Sequence, residues 1–263
     1  AEFVNDLVGE LAKVPTVVLS SEAAGMPAVL VDNFSGVVAM VDHLVQVHKR
    51  KRIAFIKGPE GAREADERFA AYKYGLEKNG LSFDEALVRP GTFFREAGVK
   101  GVRSLLDDNV EMDALIGADD FVALGAIEQL RRSGFNVPQD VSVAGFDDES
   151  TASVTFPPLT TVGQPWKGLG ETSLDILERA IRKEEVPPKT NLKAPLAFRR
   201  SCGCFPEAIH GLELIPTATT GGEEHLVREF TRRILDCANG VGSVEISEDV
   251  VKKAVGQVLD AFV

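Results

Sequence analysis

Asp32-Asn33, Asp119-Asp120, Asp147-Asp148 and Gln164 each stand just past the carboxyl end of a predicted strand. In an open α/β sheet that edge holds ligands, because its loops vary without disturbing the core. Carboxylates there accept two hydrogen bonds each, which suits the vicinal hydroxyls of a sugar or the ribose of a nucleoside. Arg68, on a predicted helix after Gly58-Pro59, supplies a matching fork of donors. The same acidic and amide residues are also favoured N-caps of a following helix. Capping is the expected role of Asn33 and Asp120, and a place in the cleft that of Asp32, Asp119 and Asp147.

Other reactive side chains carry weaker signals. Cys202-Gly203-Cys204 could form half of a metal site, but no second cysteine pair stands within reach in sequence, so free thiols are expected. His43 and His48 flank a helix end and a basic turn with no evident Cys or Ser partner, and a surface or capping role is expected for both. Trp166 could stack on a sugar ring, although hinge or core packing is its expected role. The nucleophile elbow, the phosphate loop and the dinucleotide fingerprint are all missing. Gly221-Gly222-Glu223-Glu224 resembles a cyclase signature, but His225 replaces the Phe and no strand flanks it. No catalytic residue, metal or cofactor is expected.

The elements that must position these residues alternate along the chain. Strands are predicted at 14–20, 28–32, 53–56, 114–117, 141–146, 159–162 and 193–198, as apolar, β-branched runs suited to sheets covered on both faces. Between them, apolar residues recur at helical spacing after Asn33, through Ala65, Phe69, Tyr72 and Leu76, from Glu96 to Leu106, from Asp120 to Arg132 and from Gly168 to Ile181. Regular alternation of this kind requires parallel pairing through right-handed crossovers, hence a doubly wound α/β fold. Phe3, Leu7 and Leu11 suggest an opening helix without a cap, as in a chain cut from a longer protein. After a Pro-, Thr- and Gly-rich stretch at 206–222, two further helices are predicted at 223–237 and 247–262, a helical connector toward another domain.

Composition limits the partners. The 263 residues are 44% hydrophobic and 26% charged, an ordinary globular balance. No apolar run approaches the roughly 20 residues of a membrane span, and the N-terminus lacks a secretory signal. Twenty-nine basic against forty acidic residues give a net charge of −11, which repels a phosphate backbone. The basic run His48-Lys49-Arg50-Lys51-Arg52 is expected to be a solvated turn. Three cysteines without an even framework fit a reducing, cytoplasmic setting.

Several linked motifs then occur in register: Val31-Asp32-Asn33; His43-Leu44-Val45 onward to Arg52-Ile53-Ala54-Phe55-Ile56-x-Gly58-Pro59; Arg68 with Tyr72; Ala118-Asp119-Asp120; Val137-Pro138 to Phe146-Asp147-Asp148; and Pro158-Leu159-Thr160-Thr161-Val162-x-Gln164-Pro165. Over residues 14–204 they resemble the effector-binding core of the LacI/GalR repressors. The resemblance implies a clamshell of two doubly wound parallel-sheet subdomains, like a periplasmic binding protein, joined by three crossovers around a small polar ligand and working as a homodimer. It implies a core at 1–205, with the second subdomain at about 53–158, and a connector at 206–263. By motif, Asp32 is a cleft residue of the first subdomain, Arg68, Asp119 and Asp147 are ligand contacts from the second, and Gln164 lies at a crossover. The family usually has Asn where this chain has Asp119, which makes the cleft more acidic. The resemblance also implies about two further βα units of the first subdomain, which are expected to be missing ahead of this point. The long tail is similar to that of hybrid signalling proteins, so the leading expectation is a non-catalytic sensor of a sugar, polyol or nucleoside. It would signal by cleft closure to an output domain beyond the C-terminus, without touching nucleic acid or membrane. The alternative is the effector core of a DNA-binding repressor.

Overall fold

The computed structural model describes residues 14–204, and the helices expected before and after that range lie outside it. A three-stranded parallel sheet is built from β1 (Val18–Leu19), β2 (Ala28–Asp32) and β8 (Lys189–Lys193), in the order β1-β2-β8. The larger sheet contains β3 (Ile53–Ile56), β4 (Val88–Arg89), β5 (Ala114–Gly117), β6 (Ser142–Asp147), β7 (Thr160–Gly163) and β9 (Leu196–Ala197). Its order is β4-β3-β5-β6-β7-β9, and every pairing is parallel except β7 with β9. The helices are α1 (Asn33–Gln46), α2 (Arg63–Lys78), α3 (Arg95–Asp107), α4 (Asp120–Arg132) and α5 (Trp166–Ile181). Among the described residues no helix is long and apolar enough to cross a membrane.

The continuous apolar strands follow from burial on both faces. Ile53, Phe55, Ala114, Ile116, Ala144 and Phe146 enter the core shared with α1 and α2, whereas their neighbours Ala54, Ile56, Leu115 and Val143 enter the core under α3 and α4. Period-two alternation is therefore preserved, but both faces are apolar. The helices α3 and α4 approach so closely that a Cβ on Gly98 would lie 2.0 Å from the Val122 carbonyl oxygen, and one on Gly125 2.0 Å from that of Arg95. Only glycine fits at either crossing point.

The chain passes between the two sheets three times. It leaves β2 at Asp32 for α1, which packs on α2; it leaves β7 at Gly163 for α5, which packs on β1 and β2; and it leaves β8 at Lys193 for β9. These passages touch one another. Gly163 N–H donates to Pro195 O at 2.6 Å, and Gly36, in the first turn of α1, sits against Val162 and Ala194.

Three expected elements differ. The strand expected at 193–198 shortens to β9, and β8 lies earlier than expected and ends at Lys193, because Pro195 lacks an N–H and the passage between sheets falls there. The strand expected from Val14 shrinks to Val18–Leu19, since only those residues find a partner on β2. The basic turn is not merely solvated: Arg50 donates from Nε to Ser142 Oγ at 3.0 Å and from Nη2 to Pro138 O at 2.6 Å, tying the turn to the start of β6.

Candidate functional site

The carboxyl ends of β2, β5, β6 and β7 meet around one side chain. Arg68, in the second turn of α2, is 3% exposed and spends its donors on three elements. Its Nε donates to Asn33 Oδ1 at 3.0 Å, Nη1 to Ala118 O at 2.7 Å and Nη2 to Asp147 Oδ1 at 3.3 Å. The guanidinium also lies over the Phe146 ring, 3.6 Å from its centroid. Gln164 completes the cluster by donating from Nε2 to Asp147 Oδ1 at 2.8 Å. Asp147 and Asp148 both have positive φ, 112° and 54°, so the backbone turns through two left-handed residues as it leaves β6. Non-glycine residues held in such conformations cost about 1–3 kcal/mol each and mark places where geometry is over-determined.

Capping is displaced by one residue from the expected pattern. Asp32 caps α1 by accepting from Ser35 N at 2.9 Å, and Asp119 caps α4 by accepting from Val122 N at 2.7 Å. Asn33 and Asp120, expected as caps, are the first helical residues, and their side chains turn inward. Asn33 accepts from Arg68 and donates to Glu67 Oε2 at 2.9 Å. Asp120 is fully buried, accepting from Thr161 Oγ1 at 2.6 Å and from Glu149 N at 2.8 Å. Its closeness to β6 depends on Gly145, whose added Cβ would meet Asp120 Oδ1 at 2.3 Å. A cap must be extended and its carboxylate free to reach forward, which suits the residue leaving the strand.

Of the five residues expected in the cleft, Arg68 and Gln164 are each hydrogen-bonded to Asp147, Asp119 interacts electrostatically with Arg68 and Asp147, and Asp32 is engaged in capping. Asn33 is the partner that spacing could not reveal, since it meets Arg68 across 35 residues. Trp166 is 61% exposed at the start of α5, so it is not a core residue.

A family model described as a periplasmic binding protein-like domain matches residues 41–202. The chain is 37% identical over 172 residues to the HTH-type transcriptional regulator CelR of Thermobifida fusca, covering 65% of this chain and 50% of that protein. It superposes on the transcriptional regulator CelR–cellobiose complex with a TM-score of 0.66 and 31% identity, covering 75% of this chain and 69% of that one. The lac repressor dimer bound to operator matches with a TM-score of 0.67 and 27% identity, over 75% and 68%. The chain belongs to the LacI/GalR family of periplasmic-binding-protein-like effector domains. It spans about half the length of the curated relatives it matches.

In this LacI/GalR domain the acidic cluster is electrostatically strained. Burial pushes the Asp120 carboxyl up to about 7, against the bonds from Thr161 and Glu149. Burial likewise raises Asp119 to about 6, partly offset by the Val122 amide. For the Arg68–Asp147 pair, burial lowers the guanidinium and raises the carboxyl, outweighing their mutual attraction. Both shifts run against ionisation, so the pair positions groups rather than adding net stability.

A second cluster overturns the expectation that His43 and His48 lack a cysteine partner. His43 and His48 from the end of α1 and its following turn meet Cys202 and Cys204 from the segment after β9, with all four ligand atoms within 4.8 Å of one another. The cysteines find their second pair in histidines more than 150 residues away. Burial lowers His43 to about 4 and also lowers His48, while it raises Cys204 to about 12.

Proposed function

We propose that this chain is the effector-binding core of a LacI-type transcriptional regulator acting in the cytoplasm, a non-catalytic domain that closes on a small polar ligand. The Arg68 cluster carries the reading. Asp147 receives both its described hydrogen bonds on Oδ1, and Gln164 Oε1 is buried with no partner among the described residues. An orphaned buried acceptor costs about 1–3 kcal/mol, which a donor-rich ligand would relieve. Gln164 sits where the chain passes between the sheets and holds Asp147 beside it, so a molecule bridging them to Asp32 and Asp119 stabilises the closed arrangement. Ligands rich in vicinal hydroxyls, a saccharide, polyol or nucleoside, fit these acceptors. The HTH-type regulators among its relatives favour this reading over one in which a signalling output domain follows the chain. DNA contact would then belong to a separate headpiece, in keeping with the net charge of −11.

A thermal-shift series with cellobiose, polyols and nucleosides tests the site. At a hundredfold excess over Kd, linkage gives about 2.7 kcal/mol, or roughly 5–10 °C for a domain of this size. Asp147→Ala is expected to abolish that shift. An equal shift in the variant, or none in the folded wild-type chain with any of these compounds, would defeat the assignment.

The regulator reading also carries a homodimer. Phe94, Val154 and Phe156 are 70%, 80% and 72% exposed, and two surface grooves of about 340 Å³ each share Arg131 and Phe156 in their lining. A second copy of the chain is the occupant proposed for the surface around Phe156, which lines both grooves. Sedimentation velocity is expected to show a dimer for the wild-type chain and a monomer for Val154→Asp. A wild-type monomer at micromolar concentration would remove the proposal.

A further inference from the structure

We propose that His43, His48, Cys202 and Cys204 form a structural Zn²⁺ site, tetrahedral and closed, separate from the effector cluster and independent of its function. Three contacts converge on one nitrogen: His43 Nε2 lies 3.1 Å from His48 Nε2, 3.5 Å from Cys202 Sγ and 3.3 Å from Cys204 Sγ, and Cys204 Sγ lies 3.4 Å from His48 Nε2. A neutral imidazole nitrogen has either one proton or one lone pair, so it can satisfy one of these neighbours. A central cation serves all four atoms at once.

The spacing matches that cation. Zn–S bonds of about 2.3 Å and Zn–N bonds of about 2.0–2.1 Å at tetrahedral angles place nitrogen about 3.3 Å from nitrogen, about 3.5 Å from sulfur, and sulfur about 3.8 Å from sulfur. The N–N separation and the three N–S separations given above fall within about 0.3 Å of these values, and the remaining pairs, Cys202 with His48 and the two sulfurs, lie within the 4.8 Å span of the cluster. Two thiolates and two neutral imidazoles balance the charge of Zn²⁺, and binding releases two thiol protons to solvent. Softer sulfur ligands in a tetrahedral set exclude Mg²⁺ and Ca²⁺.

The surroundings hold the donors in place. The Phe198 ring lies against His43 with centroids 4.1 Å apart. The Thr160 hydroxyl stands 3.1 Å from Cys202 Sγ, in position to donate to a thiolate. Gly203 has a φ of +110°, and a Cβ there would press on His48 Cε1 and Nδ1 at 3.1 Å, so glycine allows the Cys-x-Cys turn to wrap the ring. Cys202 is fully buried, whereas Cys204 is partly open, which gives the metal an entry path. The effector cluster includes Asn33 at the start of α1 and the metal cluster His43 near its end, ten residues on, so about 15 Å of helix separates them. The metal would fasten the segment after β9 to the end of α1.

The full chain, reduced and supplied with Zn²⁺ and then desalted, is expected to retain about one equivalent. X-ray absorption at the zinc edge should show two sulfur and two nitrogen neighbours. Co²⁺ in its place should give the visible bands of a tetrahedral thiolate complex. His48→Gln and Cys204→Ser should each lose the metal and the Co²⁺ bands, with circular dichroism reporting whether they fold. Cys237→Ser, whose site lies outside the described residues, should bind as wild type does. Reduced wild-type protein that retains less than about 0.1 equivalent, a metal shell of oxygen and nitrogen alone, or loss of metal in Cys237→Ser would each overturn the assignment.

Discussion

Arg68→Met is expected to lower the unfolding free energy by about 3–5 kcal/mol, because it leaves a buried carboxylate without its cation. Methionine keeps the length of the side chain and a favourable contact with Phe146, so little volume is lost. What disappears is the set of donors serving Asn33, Ala118 and Asp147. Three elements, α1, β5 and β6, would each lose a bond that secures its end. Arg68→Lys should recover only part of the loss, since an ammonium lacks the planar fork that reaches three acceptors. The double variant Arg68→Met, Asp147→Ala should be less destabilised than the sum of the singles, because removing both charges removes the unpaired one. Urea unfolding of the four proteins measures this directly. A loss below about 1 kcal/mol for Arg68→Met would mean that the network is replaceable by water.

The second large effect is a pH dependence centred on Asp120. Its folded pKa of about 7 lies above the ordinary carboxylate value of 3.8 that it regains on unfolding. Between those values the folded chain keeps a proton that the unfolded chain has released, so this group's contribution to stability is complete below about pH 4 and is lost as pH rises through about 7. At about 1.4 kcal/mol per unit the full effect is at most about 4 kcal/mol. Asp119 and Asp147 are shifted in the same direction, so the absolute profile is a sum. Asp120→Asn isolates one member. An asparagine amide can donate to the Thr161 hydroxyl while its oxygen accepts from Glu149 N, so the variant should fold. The stability of wild type relative to Asp120→Asn should fall by about 2–3 kcal/mol between pH 5 and pH 8. Parallel profiles would show that Asp120 stays ionised throughout.

The sequence carries the fold where local pattern and tertiary burial agree. Ile53–Ile56 and Ala114–Gly117 are short apolar runs whose alternate residues enter two different cores, and the helix over 120–132 has an apolar stripe with Ser133-Gly134 to end it. Pattern fails where a partner decides. The edge strand β4 has two residues and pairs only through Phe55 and Ile56, and β8 is visible as a strand only because β2 lies beside it. The site was half legible for the same reason. Asp147 and Gln164 were marked by residue type and by position at strand ends, and Arg68 by its donors on the helix after Gly58-Pro59. The choice between capping and inward roles for Asp32 and Asn33, or for Asp119 and Asp120, turned on one residue of helical phase. The cysteine and histidine pairs are separated by more than 150 residues, and no spacing rule along the chain joins them.

The three passages between the sheets restrict motion as well as linking the halves. Three independent flexible tethers would leave two bodies free to slide, twist and separate. Here Gly163 and Pro195 are bonded to each other, and the first turn of α1 is lodged against Val162 and Ala194, so the passages bend as one strap. A narrow strap resists shear and stretching but yields to rotation about its own width. Rotation about the strap is therefore the relative motion expected of the two sheets, and a ligand bound at Gln164, which adjoins the strap, would act along that rotation.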